Sequence, residues 1–216
     1  VEASQFPDER RQVEERPFER LRANGRKGAC VTARRISIFP LTGAILFPGL
    51  QLPLHIFEPR YRAMVGDALA RDRLIGMIQP QENREGAPIY SVGCLGKIEN
   101  VETSEDGRYN IVLSGEVRFR VLRELEVSTP FRQVEAELIE EPVSEVLAFA
   151  ERASFESEAR NFADAQGYSV DWESVAQLDD VSLINGLSQI APFDGASKQA
   201  LLEAPSLSTR RETLVT

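Results

Sequence analysis

The sequence predicts an α+β protein in which a mainly antiparallel β region is followed by a small helical bundle. Two observations lead to this class. Between residues 36 and 138, short runs rich in β-branched and aromatic residues alternate with turn signals, as in strands. From Pro142 onward the period of the apolar residues changes from two to about 3.6, as in helices. We therefore expect a charged N-terminal tail over 1–35, a β domain over 36–141 and a helical bundle over 142–216.

Composition favours a folded protein with a packed core. The chain has 216 residues, of which 42% are hydrophobic and 27% charged, as in ordinary globular domains. There is no apolar run near the roughly 20 residues that cross a bilayer, and the N-terminal region has no apolar stretch like a secretory signal. We expect a cytoplasmic protein.

Charge argues against nucleic acid as the partner. The formal net charge is −9, which repels phosphate backbones. From Glu135 onward, acidic residues outnumber basic ones by about three to one. The first 35 residues are rich in arginine, but interleaved acidic residues largely cancel that charge. The tail is therefore interpreted as a solvated extension, not as a binding arm for RNA or lipid.

The β region begins with a proline-broken stretch. Pro40, Pro48 and Pro53 lie in or between its first two strands, and a proline cannot donate to a central ladder. We expect this stretch to follow a sheet edge. Pro59 fits the first turn of an amphipathic helix that ends near residue 72. Strands are predicted over 36–39, 52–56, 74–78, 90–101, 109–113, 117–125 and 133–138.

Turn signals divide the later strands. Asp106-Gly107 predicts a two-residue hairpin, because both positions of the favoured turn need a positive φ. Ser114-Gly115 predicts a second bend. The sequence from Gly93 to Gly96 matches the G-x-x-G of KH domains, but it lies within a strand pattern, so we interpret it as a coincidence or as a bulge with close backbone packing.

The C-terminal helices are marked by their end signals. Polar residues precede the apolar periodic runs as N-caps should, and Gly167 follows the first helix as a C-terminal stop. The predicted N-caps are Asp171, Asp180, Asp194 and Ser206. Helices are predicted over 144–166, 171–178, 180–190, 195–203 and 207–214.

The sequence carries no recognisable catalytic, metal or cofactor motif. His55 is the only histidine and is interpreted as structural, and Cys30 and Cys94 have no metal-ligand spacing. There is no phosphate-binding loop and no G-x-S-x-G elbow. The adjacent Ser197 and Lys198 point to different faces of a helix start. Carboxylates brought together by the fold would make a small hydrolase, which is one alternative.

Several motifs resemble the Lon N-terminal substrate-binding domain in its stand-alone bacterial form. The opening signature is Ile38-Phe39-Pro40-Leu41, then Leu46-Phe47-Pro48-Gly49, then Leu52-Pro53-Leu54-His55-Ile56-Phe57-Glu58-Pro59-Arg60-Tyr61. Similar stretches continue through Gly115-Glu116-Val117-Arg118-Phe119 and Ile190-Ala191-Pro192-Phe193. The resemblance covers about 36–214, which is nearly the whole chain outside the tail.

This resemblance implies a PUA-like antiparallel β pseudo-barrel joined to a helical bundle. In full-length Lon proteases the domain helps to capture substrates, and the ATPase and the Ser-Lys peptidase follow it. We therefore expect a non-enzymatic module, without cofactor or metal, that binds unfolded or partner polypeptide. Because PUA-like domains also include RNA-binding proteins, an RNA-binding function is the main alternative.

The expected binding site is the apolar, proline-broken segment and its neighbours. Such a segment is difficult to bury in a sheet and can leave an apolar edge, to which extended peptides add. The competing interpretation is that these residues close the end of the barrel. The predicted peptide-binding residues are Phe47, Pro48, Leu50, Leu52, His55, Phe57 and Tyr61.

Overall fold

A computed structural model describes residues 33–140 and 146–215. These residues lie in the compact unit that spans Thr32–Thr216. Most of the predicted 1–35 tail therefore falls outside the described residues, and the proposed division into three parts stays a prediction. The elements are β1 Arg34–Pro40, β2 Gln51–Ile56, α1 Pro59–Leu69, β3 Leu74–Ile78, β4 Val92–Thr103, β5 Tyr109–Leu125, β6 Gln133–Leu138, α2 Phe149–Gln166, α3 Trp172–Ala176, α4 Asp180–Ile190, α5 Gly195–Glu203 and α6 Leu207–Val215.

The six described strands form one sheet that closes on itself. Their order is β2-β5-β4-β3-β1-β6, and β6 also pairs with β5. Five strands thus complete a ring, and β2 extends the sheet outside it. The pairs are antiparallel apart from β1 and β3, which run parallel. The predicted α+β class is confirmed, and the pseudo-barrel is mixed instead of purely antiparallel.

The expected edge position holds for β2 but is wrong for β1. Among the described strands β2 pairs only with β5, and Pro53 lies in it. By contrast, β1 lies between β3 and β6. Pro40 is tolerated there because it is the last residue of the strand, where a missing N–H disturbs the ladder least.

A long strand replaces the predicted second bend. β5 continues through Ser114 and Gly115, and the register slips by one residue because Leu95 pairs with Val117 while Gly96 pairs with Gly115. Glu116 is the extra residue, so the bend is absorbed as a β-bulge. Close packing explains the glycine at position 93 of β4. A Cβ on Gly93 would lie 2.5 Å from the Met77 carbonyl oxygen.

The Asp106-Gly107 hairpin is present, but its turn differs from the prediction. Gly107 has φ +77°, whereas Asp106 is not among the residues with positive φ. The Gly107 N–H donates to the Ser104 carbonyl over 2.9 Å, and the Ser104 N–H donates to the Arg108 carbonyl over 2.9 Å. This is a type I turn followed by a glycine bulge, which needs only one residue with positive φ.

The helix signals are confirmed with one correction. Asp171 and Asp194 cap α3 and α5, and Gly167 ends α2 with φ +72°. α4 is capped by Asp179, whose carboxylate accepts the Ser182 N–H over 2.8 Å, so the predicted cap Asp180 is wrong by one residue. The Asp180 side chain is buried and instead accepts the Leu147 N–H over 2.8 Å, which links the start of α2 to α4.

Buried apolar residues connect the sheet to the helices. One cluster contains Phe47 and Val92 from the β region with Leu201 and Leu202 from α5. A second lies among the helices and includes Phe155 and Ile184. Over the ranges that the structure covers, no helix is both long and apolar enough to cross a membrane.

Candidate functional site

The predicted binding segment divides into a buried and an exposed part. Phe47 is 0% exposed and packs in the cluster with Leu201 and Leu202. Its ring cannot contact a partner in this conformation, so the expectation of an exposed Phe47 is wrong. The physical reason is that α5 and the barrel end enclose it. For this residue the structure supports the competing interpretation, that it closes the barrel.

Polar side chains of α4 and α6 hold this buried part. Gln189 Oε1 accepts the Phe47 N–H over 3.2 Å, and Asn185 Nδ2 donates to the Pro48 carbonyl over 3.2 Å. Asn185 Oδ1 in turn accepts from Arg210 Nη1 over 2.6 Å, and the Arg210 guanidinium lies 5.1 Å from the Phe47 ring centre. The Phe47 N–H and the Pro48 carbonyl, which lie outside regular strand pairing, are thus bonded to side chains of α4.

Four other predicted residues, Pro48, Leu50, Leu52 and Tyr61, are half-buried. Leu50 packs against the Phe47 cluster, and Leu52 and Tyr61 pack against the main barrel core. The Tyr61 ring lies 4.2 Å from the Phe39 ring, centre to centre, and burial raises the pKa of Tyr61. These side chains stabilise the site more than they present surface to a ligand.

The outward edge of β2 offers few backbone groups. The Leu50 carbonyl accepts the Gly115 N–H over 2.8 Å, so alternation turns the backbone groups of Gln51, Pro53 and His55 away from β5. The Gln51 carbonyl is already bonded to Gln189 Nε2 over 2.9 Å. Pro53 has no N–H. Among these three residues, only His55 therefore presents both a donor and an acceptor to an added strand.

Two exposed rings lie beside this edge. Phe57 is 58% exposed, and its ring centre lies 6.0 Å from that of His55 in a stacked arrangement. His55 Nδ1 lies 2.7 Å from Asn110 Oδ1 on the neighbouring strand, which orients the imidazole. An apolar ring next to a free donor–acceptor pair can hold an extended peptide in a fixed register.

A shallow groove follows the same face across β2, β5 and β4. Its volume is about 440 Å³, and it is lined by Pro53, Leu54, His55, Asn100, Glu102, Asn110, Ile111 and Val112. The groove residues on β4 and β5 are not among the residues predicted from the sequence. The Asp106-Gly107 hairpin signal implied that these two strands pair, but the register that sets Glu102 opposite Asn110 depends on the turn and the bulge.

A second, smaller groove lies near the start of β1. Its volume is about 210 Å³, and Arg34, Asp67, Arg71 and Asp72 line it. Arg34 pairs with Asp72 at 2.7 Å and Arg71 with Asp67 at 3.0 Å. Since four of its charged side chains pair with one another, we favour the groove beside β2.

The chemistry at the β2 groove is that of recognition. One imidazole, one carboxylate and two amides surround apolar Pro53 and Val112. In the part of the chain that the structure describes, no group of three or more His, Cys, Asp or Glu side chains could hold a metal ion. The arrangement offers hydrogen bonds and apolar contact along an extended ligand.

Solved structures first establish the class of fold. A Lon N-terminal domain protein from Xanthomonas campestris superposes with a TM-score of 0.66 at 21% identity, covering 84% of this chain and 97% of that one. The N-terminal domain of a Lon protease from the Mycobacterium avium complex gives a TM-score of 0.65 at 22% identity, covering 84% and 96%. The fold is that of a Lon N-terminal domain.

The sequence then gives the family. Residues 35–216 match the ATP-dependent protease La (LON) substrate-binding domain, and the chain belongs to this family. Lon protease 2 of Syntrophobacter fumaroxidans is 26% identical over 190 residues, and Lon protease 1 of Bdellovibrio bacteriovorus is 26% identical over 193. Each alignment covers just over four-fifths of this chain but 23% of the relative, so the chain spans about a quarter of their length.

These findings confirm the resemblance inferred from the opening motifs. Residues 35–216 form a domain of the Lon substrate-binding family, as the sequence predicts. The same findings give no support to the RNA-binding alternative.

Proposed function

We propose that this domain binds extended segments of unfolded or partner polypeptide at the outward edge of β2 and catalyses no reaction itself. The observation that carries the proposal is the free backbone donor and acceptor of His55 beside the exposed ring of Phe57. A segment added there would pair with His55, and an apolar side chain would cover Phe57.

The family supports a polypeptide ligand. The family is the substrate-binding domain of ATP-dependent Lon proteases, and the relatives above are Lon proteases. A protease takes polypeptides as substrates, so the chemistry of such a ligand is an extended backbone with varied side chains. The edge of β2 recognises the backbone, which every polypeptide shares.

The short edge limits the affinity. Pro53 and the Gln189-bonded Gln51 leave at most a few backbone hydrogen bonds for an added strand. Association must also offset the lost translational freedom of the peptide. We therefore expect dissociation constants in the micromolar range, about −8 kcal/mol, or weaker.

The carboxyl groups with a shifted pKa in the described ranges do not favour the small-hydrolase alternative. Hydrogen bonds from Arg132, Ser174, Ser182 and Ser197 lower the pKa of Glu124, Asp171, Asp179 and Asp194 respectively. A general acid needs the opposite shift. The absence of ATPase and peptidase activity, like the cytoplasmic location, stays a prediction from the sequence.

The test is a peptide titration with a matched pair of surface variants. Phe57→Ala removes the ring beside the edge, whereas Leu122→Ala removes an apolar side chain of similar exposure, 50% against 58%, elsewhere on β5. We expect an unfolded, apolar-rich peptide to bind the wild type and Leu122→Ala equally and Phe57→Ala at least three-fold more weakly.

Single-stranded RNA at low and high salt is the second arm of this experiment. Peptide binding should change little with salt, because apolar contacts and backbone hydrogen bonds are screened less than exposed charges. RNA affinity would fall steeply with salt. Equal peptide binding by both variants would reject the site, and tight, salt-sensitive RNA binding would reject the proposed function.

A further inference from the structure

We propose that the groove beside β2 is a subsite for one long cationic side chain, lysine or arginine, of the bound polypeptide, with Glu102 as its anionic end. This inference rests on the proposed function, because the side chain arrives on a peptide held at the β2 edge. It adds a preference for side-chain chemistry to an edge that otherwise recognises only backbone.

The register of the strands defines the groove as two rows. Pro53 pairs with Val112 and Val112 with Asn100, which forms the first row. His55 pairs with Asn110 and Asn110 with Glu102, which forms the second. Because the rows are two residues apart on each strand, all these side chains lie on one face of the sheet.

Chemistry changes along the groove from apolar to anionic. The first row begins with Pro53 and Val112, which suit the methylene stem of a lysine or arginine. The second row ends at the exposed carboxylate of Glu102. Lysine and arginine combine an apolar stem with a charged end, and among the natural side chains only they match this order at neutral pH.

Glu102 differs from two carboxylates near it, Asp106 and Glu58, which are paired with arginines. Asp106 at the hairpin tip pairs with Arg108 at 2.9 Å, and Glu58 beside the edge pairs with Arg60 at 2.8 Å. Over residues 33–140 and 146–215, no ion pair or hydrogen bond is found for the Glu102 side chain. The groove therefore ends in a negative charge that a ligand can neutralise.

Geometry restricts the ligand to a long side chain. The residue of an added strand that faces His55 has its own side chain on the groove face. It lies three strand spacings from β4, about 14 Å, since neighbouring strands are roughly 4.8 Å apart. A short side chain would stop above His55, whereas an extended lysine or arginine directed between the two rows passes Pro53 and Val112 and approaches Glu102.

The expected preference is modest. Ion pairs between exposed groups contribute little in water, and a two- to five-fold gain in affinity is of the usual order. High salt should reduce the gain further, because the pair is open to solvent.

The experiment compares one synthetic peptide, in which leucines flank a variable central position, across five central residues. Lysine and arginine supply length and charge, norleucine length alone, diaminopropionate charge alone, and glutamate the opposite charge. Each peptide is titrated against the wild type, Glu102→Gln and Glu105→Gln. Glu105→Gln makes the same change of charge in the same hairpin but outside the groove.

We expect the wild type and Glu105→Gln to bind the lysine and arginine peptides two- to five-fold more tightly than the norleucine and diaminopropionate peptides. Glu102→Gln should bind lysine, arginine and norleucine peptides equally. The subsite is wrong if all peptides bind but Glu102→Gln keeps the preference for lysine and arginine. It is also wrong if all peptides bind and the wild type shows no such preference. In both cases the proposed binding site at β2 stands. If no peptide binds the wild type, the proposed function fails together with the subsite.

Discussion

The two ends of one apolar segment have opposite positions in the fold. Phe47 at one end is 0% exposed, whereas Phe57 at the other is 58% exposed. Both belong to the stretch from Leu46 to Pro59, which prolines interrupt, and each of the two phenylalanines follows an apolar residue, Leu46 or Ile56. Composition alone therefore does not decide which part of such a segment is available to a partner. The elements that pack against it decide.

The buried end is distinguished by the polar side chains that reach it. Asn185 and Gln189 of α4 are hydrogen-bonded to backbone groups of Phe47, Pro48 and Gln51. These backbone groups therefore keep hydrogen-bond partners where the chain is shielded from water. α4 ends at Ile190, and no such contact extends to His55 or Phe57 among the described residues. The free edge begins where the contacts of α4 end.

The largest expected effect separates the two phenylalanines by stability. Phe47→Ala should lower the free energy of unfolding by about 3–5 kcal/mol, because it opens a cavity among packed side chains. Phe57→Ala should change it by less than about 0.5 kcal/mol, as surface substitutions do. Chemical denaturation of both variants measures the difference, and similar losses for the two would remove the distinction between buried and exposed ends.

Asn185 tests whether polar contacts from α4 hold the buried end. Asn185 is 1% exposed, and its side chain is hydrogen-bonded to both Pro48 and Arg210. Asn185→Ala should cost about 1–3 kcal/mol, since it leaves buried polar partners without their hydrogen bonds. Asn161→Ala on exposed α2 is the matched control and should cost little. Equal stability of the two variants would mean that packing alone holds the loop.

The cap of α4 gives the smallest effect of the three, with a defined pH dependence. Hydrogen bonds from Ser182 lower the pKa of Asp179. A lowered folded pKa contributes stability above the unfolded pKa, near 3.9, and that stability is lost as pH falls through the folded pKa. Asp179→Ala should therefore cost about 1 kcal/mol at pH 7 and less at acidic pH. Asp179→Asn keeps an acceptor oxygen, so it should lower the free energy of unfolding less at pH 7. A loss of stability for Asp179→Ala that does not depend on pH would contradict the role of Asp179 as the cap.

Local chemistry made most of the fold predictable. Asp171, Asp194 and Gly167 marked helix ends correctly because caps depend on neighbouring backbone groups. The central position of β1 was missed because strand order depends on long-range pairing that no local pattern records. The β5 bulge was missed for a similar reason, since Ser114-Gly115 reads as a turn when the partner strand is unknown.

The candidate site was only partly predictable. His55 and Phe57 were included because they adjoin the proline-broken segment, and the structure places both at the exposed edge. Phe47 was included for the same reason and is buried, because α5 covers it. Glu102 was missed because its position opposite Asn110 depends on the strand register. That register is fixed by the hairpin turn and its glycine bulge.

Residue-resolved amide hydrogen exchange tests the central claim most directly. The amides of Leu54 and Ile56 bond to β5 and should be protected in the free protein, whereas the outward His55 amide should exchange rapidly. Saturation with an unfolded, apolar-rich peptide should slow exchange at His55 and leave its two neighbours unchanged. A His55 amide that is already protected without peptide, or whose exchange is unaffected by saturating peptide, would contradict binding at the β2 edge.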